Sequence, residues 1–149
     1  MPNSNPLDIL NAYIKQHKLR RTYERERVLE YILTIDGHFT IQSVHEEMNK
    51  ETPISRGSIY NIIELFLNAG IVVRHPFAGA EAEYETTMRA STHHHRICTS
   101  CGAIKEFSDQ KFSRAIKNRT FASFQPKFHS IYIYGLCKKC QPKTKKTKK

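Results

Sequence analysis

The sequence lacks several features that would place it in a membrane or outside the cell. It contains no apolar run long enough to cross a bilayer and no hydrophobic segment of a secretory signal. It also has only four cysteines in 149 residues, and disulfides are disfavoured in a reducing cytosol. We therefore expect a cytoplasmic protein with no membrane partner.

Acidic side chains are scarce relative to basic ones. There are 14 Asp and Glu against 24 Lys and Arg, which gives a formal net charge of +10. Half of this excess lies after Cys140, in a lysine-rich tail over residues 141–149 that we expect to be disordered. A second basic cluster runs from Lys15 to Arg27. This balance favours a polyanionic partner, although a charge run alone is also typical of a solvated surface.

All four cysteines belong to two C-x-x-C pairs, so no cysteine is left over for redox chemistry or catalysis. Four thiolates complete the tetrahedral shell of a structural zinc ion, and a closed shell leaves no position for a substrate. Two local disulfides or a thiol switch are the alternatives. The predicted zinc ligands are Cys98, Cys101, Cys137 and Cys140.

The first half shows helical periodicity with clear capping residues. A short helix is predicted over residues 7–18, and Thr22, Thr40 and Ser55 are expected to cap three further helices. The fourth helix has the clearest apolar stripe and ends at Gly70.

Two extended segments then follow, over residues 71–76 and 83–87, and they predict a β-hairpin. Three helices after a lead helix, followed by a hairpin, are typical of a winged helix-turn-helix domain. The N-terminal half of the fourth helix would then reach phosphates and base edges in a DNA major groove. An ordinary amphipathic helix with a polar outer face is the alternative. The candidate DNA-contacting side chains on this helix are Arg56, Ser58, Tyr60 and Asn61.

The second half predicts a small α/β unit that zinc would staple together. Strands are expected over 93–98 and 103–107, then a helix from Ser108 or Asp109 to about Phe121, then a strand over 129–134. One face of the last strand should be buried against the helix, and the other face could meet a second subunit. The fold class is thus α+β, with a DNA-binding domain (1–87), a hinge (88–92), a dimerisation and metal-binding domain (93–140) and the tail (141–149).

A histidine triplet marks a second candidate metal site. Alternate residues of a strand point to opposite faces, so His93 and His95 share one face and His94 takes the other. Glu106 on the neighbouring strand can approach His93 and His95, and Glu85 and His38 can enter from the first half. Three imidazoles and two carboxylates suit Fe²⁺, Mn²⁺, Co²⁺ or Zn²⁺. A solvated histidine patch is the alternative.

Four sequence segments together resemble the ferric uptake regulator (Fur) family of metal-dependent transcriptional repressors. They are the entry to the second helix, the fourth helix with the first wing strand, the triplet with its first cysteine pair, and the closing strand. The resemblance covers roughly Leu19 to Cys140. The motifs stand at 19–25, 59–60 with 68–75, 93–102 with 106–109, and 129–137.

The resemblance implies specific roles for these residues. It implies a structural Zn²⁺ on the four cysteines and a homodimer formed through the second half. It implies a non-enzymatic repressor of metal uptake genes, iron above all, on a pseudo-palindromic double-stranded DNA operator. Tyr60 would lie near bases and Arg20 near the minor groove. A regulatory ion, Fe²⁺ first and Mn²⁺ or Zn²⁺ as alternatives, would bind His38, Glu85, His93, His95 and Glu106.

The sequence departs from the family pattern in three places, one of which is an extra residue between Glu85 and His93. Asn61 stands where arginine is usual, so the operator is expected to differ from the common family box. At a further family metal site, Thr92 and Ser113 replace two ligands, and only His94 and His129 remain for a weak third site.

Three other interpretations stay open at this point. One is a regulator that responds to haem, manganese or peroxide, although no Cys-Pro haem motif is present and glutamates in the regulatory shell favour plain metal sensing. A second is a metalloenzyme built on His93, His95 and Glu106, since two histidines and a carboxylate can form an open facial triad. The third is a metal buffer that binds no DNA.

Overall fold

The structure is a computed structural model that describes residues 4–143. Most of the predicted tail, from residue 144 onward, lies outside the described residues. The helices and strands are, in chain order, α1 (Pro6–Gln16), α2 (Tyr23–Thr34), α3 (Ile41–Asn49), α4 (Arg56–Ala69), β1 (Val72–Arg74), β2 (Tyr84–Thr86), α5 (Thr87–Ala90), β3 (His94–Cys98), β4 (Ile104–Phe107), α6 (Gln110–Lys117) and β5 (Tyr132–Gly135).

The predicted caps of the first half are present. The Thr22 side chain accepts a hydrogen bond from the backbone of Arg25, and Ser55 accepts one from the backbone of Ser58 at 3.0 Å. Thr40 and Ser43 form a reciprocal capping box. Gly70 ends α4 with φ +77°, a left-handed conformation that glycine adopts without a Cβ clash.

One apolar core holds the four helices and the hairpin together. Helix α4 is its centre, because its predicted stripe is buried except for the partly buried Leu67, and the helix contacts α1, α2, α3 and β1. Full burial of one such side chain contributes about 1.5–3 kcal/mol. The residues that α4 buries are Ile59, Ile62, Ile63, Phe66 and Ala69.

The hairpin explains how distant segments of the first half meet. Strands β1 and β2 are antiparallel, with Val73 opposite Glu85. Phe39 forms an additional antiparallel bridge with Tyr84, through backbone hydrogen bonds of 2.9 and 2.8 Å. Because this bridge aligns the two segments, it places His38 beside Glu85.

The second half is a three-stranded sheet in the order β4-β3-β5. Strands β3 and β4 are antiparallel, with His95 opposite Glu106, whereas β3 and β5 are parallel, with His95 opposite Tyr132. The triplet strand is therefore the central one. Both flanking strands present a side chain next to His95.

Three details of the second half differ from the prediction. The expected hinge contains a short helix, α5, which is too brief to show a sequence period. Helix α6 ends at Lys117 rather than near Phe121, and β5 begins only at Tyr132.

Neither face of β5 is well covered within one chain. Ile133 is 50% exposed and Tyr134 is 54% exposed. Helix α6 buries none of its residues, so the expected burial of one face against this helix was wrong.

The α+β fold class with two small sheets is confirmed. Within residues 4–143, no helix combines the length and the apolar character that crossing a bilayer requires.

Candidate metal centres

The two C-x-x-C pairs converge on one point. Their four sulfur atoms all lie within 4.8 Å of one another, and Cys101 Sγ is 3.7 Å from Cys137 Sγ. A tetrahedron with zinc–sulfur bonds of about 2.3 Å has edges of roughly 3.8 Å, whereas a disulfide is about 2.0 Å long. The cysteines are free thiols, and their spacing fits a four-sulfur zinc site rather than two disulfides.

Backbone donors prepare part of this cluster for a cation. Backbone N–H groups of Cys101 and Cys137 lower the pKa of Cys98 to about 6. A hydrogen bond with Ser100 lowers the pKa of Cys140, but contacts with Cys137 and Cys101 outweigh it and raise the pKa to about 11. The Cys140 thiol therefore resists deprotonation beside the other cysteines unless a positive ion balances the charge, as zinc would.

The histidine triplet forms a second centre together with side chains from the first half of the chain. One ligand atom is available from each of four side chains, and these four atoms lie within 4.8 Å of one another. The side chains are His38, His93, His95 and Glu106. His38 Nε2 is 3.2 Å from His95 Nε2 and 3.9 Å from Glu106 Oε1. The structure thus brings together side chains from the first half and the second half. We refer to this group, with Glu85, as the regulatory pocket.

Glu85 is the fully buried carboxylate of the regulatory pocket. Its Oε1 lies 3.2 Å from His93 Nε2, and its Oε2 lies 3.5 Å from His38 Nε2. Although burial raises its pKa, hydrogen bonds with His38 and His75 hold the pKa of Glu85 far below its usual range. Glu85 is therefore ionised and can serve as a ligand.

The same contacts act on the imidazoles. A hydrogen bond with Glu85 raises the pKa of His38. Burial, together with the neighbouring His75, lowers the pKa of His95 to about 4. His95 is thus neutral near pH 7, which is the form that binds a metal.

Sequence reasoning missed two side chains of this pocket. The His75 side chain is fully buried, with Nε2 2.7 Å from Glu85 Oε2 and Nδ1 2.6 Å from the hydroxyl of Tyr132. Arg89 donates to Glu85 Oε1 at 2.6 Å. The spacing of Glu85 and Arg89, four residues apart, was the only sequence signal for this pair.

His75 also belongs to an alternative ligand set. Its ligand atom and those of His38, Glu85 and His95 lie within 4.8 Å of one another.

His94 points away from the regulatory pocket, as the strand alternation predicts. It is 1% exposed, its Nε2 is 3.1 Å from Ser113 Oγ, and its ring centroid is 6.3 Å from that of His129. Within residues 4–143, no further His, Cys, Asp or Glu completes a cluster with these two imidazoles. The weak third site stays a prediction.

The candidate DNA-contacting residues lie on an exposed face. Tyr60 is 50% exposed, and Asn61 and Arg20 are also exposed. The Ser58 hydroxyl is 2.8 Å from that of the cap residue Ser55, so it is partly committed to the helix start. Arg56 lies 3.4 Å from Glu81, which joins the fourth helix to the hairpin loop.

Comparisons with known proteins agree on one family. The model of the family described as the ferric uptake regulator family matches residues 16–134 of this chain. The peroxide-responsive repressor PerR of Staphylococcus aureus (strain Mu50 / ATCC 700699) is 28% identical over 134 residues, which is 89% of this chain and 89% of that protein.

Two solved structures of ferric uptake regulators are similar to this chain over most of its length. The ferric uptake regulator of Helicobacter pylori has a TM-score of 0.64 at 22% identity, over 95% of this chain and 97% of that one. At this identity the likeness shows the fold alone. The ferric uptake regulator of Vibrio cholerae is 29% identical with a TM-score of 0.55, over 85% of this chain and 98% of that one.

Proposed function

Since the chain belongs to the ferric uptake regulator family, we propose that it is a homodimeric repressor whose affinity for a DNA operator depends on a divalent ion in the regulatory pocket. Members of this family are metal-responsive transcription regulators, not enzymes. The chain is therefore a transcription regulator, and the metalloenzyme interpretation is wrong. Operator binding tests the metal-buffer interpretation. The finer points, which are the ion, the operator and the ligand set, are the proposal.

The observation that carries the proposal is the origin of the pocket's side chains. His38 and Glu85 come from the helical half, whereas His93, His95 and Glu106 come from the sheet half. A divalent ion supplies positive charge and a preferred arrangement of nitrogen and oxygen ligands. Side chains that share one ion across the two halves restrict the angle between them.

This restriction connects metal binding to DNA binding. Each half of a pseudo-palindromic operator requires one placement of the fourth helix, so only some interdomain angles are competent. A pocket that favours the competent angle raises DNA affinity without touching DNA. Coupling of about 1–3 kcal/mol, or roughly 5–150-fold in affinity, is typical of such linkage.

We propose Zn²⁺ for the cysteine cluster and Fe²⁺ for the regulatory pocket, with Mn²⁺ or Zn²⁺ as alternatives there. Neutral imidazoles with carboxylates suit these ions, while four thiolates suit zinc. We further propose that the protein is cytoplasmic and represses iron uptake genes. Its domains are proposed to follow the boundaries predicted from the sequence.

A second candidate function is peroxide sensing, because the S. aureus relatives that match are peroxide-responsive repressors. Glu85 and Glu106 favour plain metal sensing, as the family resemblance implies. Hydrogen peroxide added to the metal-loaded protein on its operator separates the two. Rapid loss of DNA binding that a reductant and fresh metal fail to restore would favour peroxide sensing.

The main proposal is tested with His93→Ala combined with His95→Ala. His17→Ala, at the exposed C-cap of α1, is the control. An operator is first selected from random DNA in the presence of Mn²⁺. The double variant should keep its zinc and its dimer mass but lose Mn²⁺-stimulated binding in a gel-shift titration. Unchanged Mn²⁺ dependence would refute the assignment of the pocket.

A further inference from the structure

Arg89 places a permanent positive charge inside the regulatory pocket. It belongs to α5, the short helix between the two halves, and its side chain is only 23% exposed. The guanidinium donates to Glu85 Oε1 at 2.6 Å, and its Nη1 lies 3.5 Å from Glu106 Oε1. The same nitrogen is 3.4 Å from His93 Nε2.

These partners of Arg89 are also the side chains that would bind a metal ion. Glu85 Oε1 and Glu106 Oε1 lie 3.2 Å and 3.7 Å from His93 Nε2, and each carboxylate belongs to one of the two ligand clusters that share His38 and His95. A carboxylate oxygen engaged at hydrogen-bond distance by a guanidinium has fewer lone pairs available to an ion. Like charges also repel strongly at such short range in a partly buried site.

The Arg89 guanidinium also has a hydrogen-bond partner at the edge of the pocket. Its Nε donates to Asp36 Oδ1 at 2.8 Å, and the Asp36 side chain is 95% exposed at the edge of the pocket. Contacts with Asp36 and Glu85 outweigh burial and raise the pKa of Arg89, so the group stays charged. Asp36 can therefore hold the charge at the rim of the pocket when Glu85 and Glu106 take another cation.

We propose that Arg89 is an internal cation that competes with the regulatory ion for Glu85 and Glu106 and, when the ion is absent, links these two carboxylates across the halves. This inference rests on the proposed function of the pocket. Arg89 would set the metal concentration above which the ion occupies the regulatory pocket. It would also maintain a fraction of the DNA-competent arrangement without metal.

Removing the charge should have two opposite effects. In Arg89→Gln, Mn²⁺ should bind at least about tenfold more tightly, because a unit charge that contacts the same two carboxylates is gone. The metal-free variant should sample a wider range of interdomain angles. Arg89→Lys, which keeps the charge, should show a much smaller gain in Mn²⁺ affinity.

Asp36→Asn tests the same idea from the other side, with little risk of unfolding because the residue is exposed. Without its outer partner, Arg89 should stay on Glu85 and Glu106, and Mn²⁺ affinity should fall. In the Arg89→Gln background the Asp36→Asn change should have little further effect, since only coupled residues depart from additivity.

Mn²⁺ affinity is measured by calorimetric titration of the zinc-loaded dimer, and the interdomain range by small-angle X-ray scattering of the same samples without Mn²⁺. Arg119→Gln removes an equal charge from an exposed position after α6 and is the matched control. Unchanged or weaker Mn²⁺ binding in Arg89→Gln would overturn the proposal, since Arg89 would then only position Glu85. A wild-type protein that binds no Mn²⁺ at these residues would instead defeat the proposed function.

Discussion

The hydrogen bond between His75 and Tyr132 allows a quantitative prediction of the free energy that holds the two halves together. His75 follows β1 in the helical half, and Tyr132 opens β5 in the sheet half. Their Nδ1···O distance is 2.6 Å, and the His75 side chain is fully buried. His75 Nε2 is already engaged with Glu85, so the Tyr132 hydroxyl is the partner of Nδ1.

Tyr132→Phe removes this hydroxyl but keeps the ring. A buried ring nitrogen that loses its partner costs about 1–3 kcal/mol. Because the bond joins the two halves, this cost applies to the closed arrangement and not to either half alone. We expect operator affinity at limiting Mn²⁺ to fall by roughly 5–150-fold, with zinc content and dimer mass unchanged.

Fluorescence anisotropy of a labelled operator over a Mn²⁺ series is the assay. Tyr134→Phe is the matched control, because Tyr134 lies on the same strand but is 54% exposed. Equal operator affinities for the two variants would refute the reasoning. The same result would show that the His75 contact carries no interdomain energy.

Three further changes have defined outcomes. Cys137→Ser should lose zinc and weaken the dimer in native mass spectrometry, and a variant that keeps both would contradict the four-sulfur site. Ile63→Ala, in the centre of the helical core, should reduce the free energy of unfolding in urea by about 2–5 kcal/mol while leaving Mn²⁺ affinity intact; a smaller loss would mean the site repacks. Deleting residues 141–149 should flatten the dependence of log K on log salt, and an unchanged slope would remove the tail from DNA binding.

Local sequence signals predicted the helical half well. Thr22, Thr40 and Ser55 cap helices because their hydroxyl groups satisfy free backbone N–H groups, and this depends only on neighbouring residues. The apolar period of α4 and the terminal Gly70 are equally local. Helix α5 escaped notice because four residues contain barely one turn.

The regulatory pocket was only partly predictable. Strand alternation separates His93 and His95 from His94, and it follows from backbone geometry alone. The role of His75 depends instead on packing between β1 and β5, which are far apart in the sequence. The position of His38 depends on the bridge between Phe39 and Tyr84, which is likewise a tertiary contact.

The exposure of β5 was not predictable from the sequence, because it depends on what packs against the strand. Alternation in the segment up to Tyr134 predicts a strand with two distinct faces, but it does not say what covers each one. Ile133 and Tyr134 stay exposed within one chain, where a sheet of three strands and one short helix has little to cover them. The proposed homodimer would bury them against a second subunit.

If metal and DNA bind through one shared equilibrium between interdomain angles, each must raise the affinity of the protein for the other by the same factor. Mn²⁺ affinity is titrated with and without saturating operator, and operator affinity with and without saturating Mn²⁺. Both pairs of measurements should give this same factor, and it should be greater than one. A Mn²⁺ affinity that is the same with and without operator would contradict the shared equilibrium.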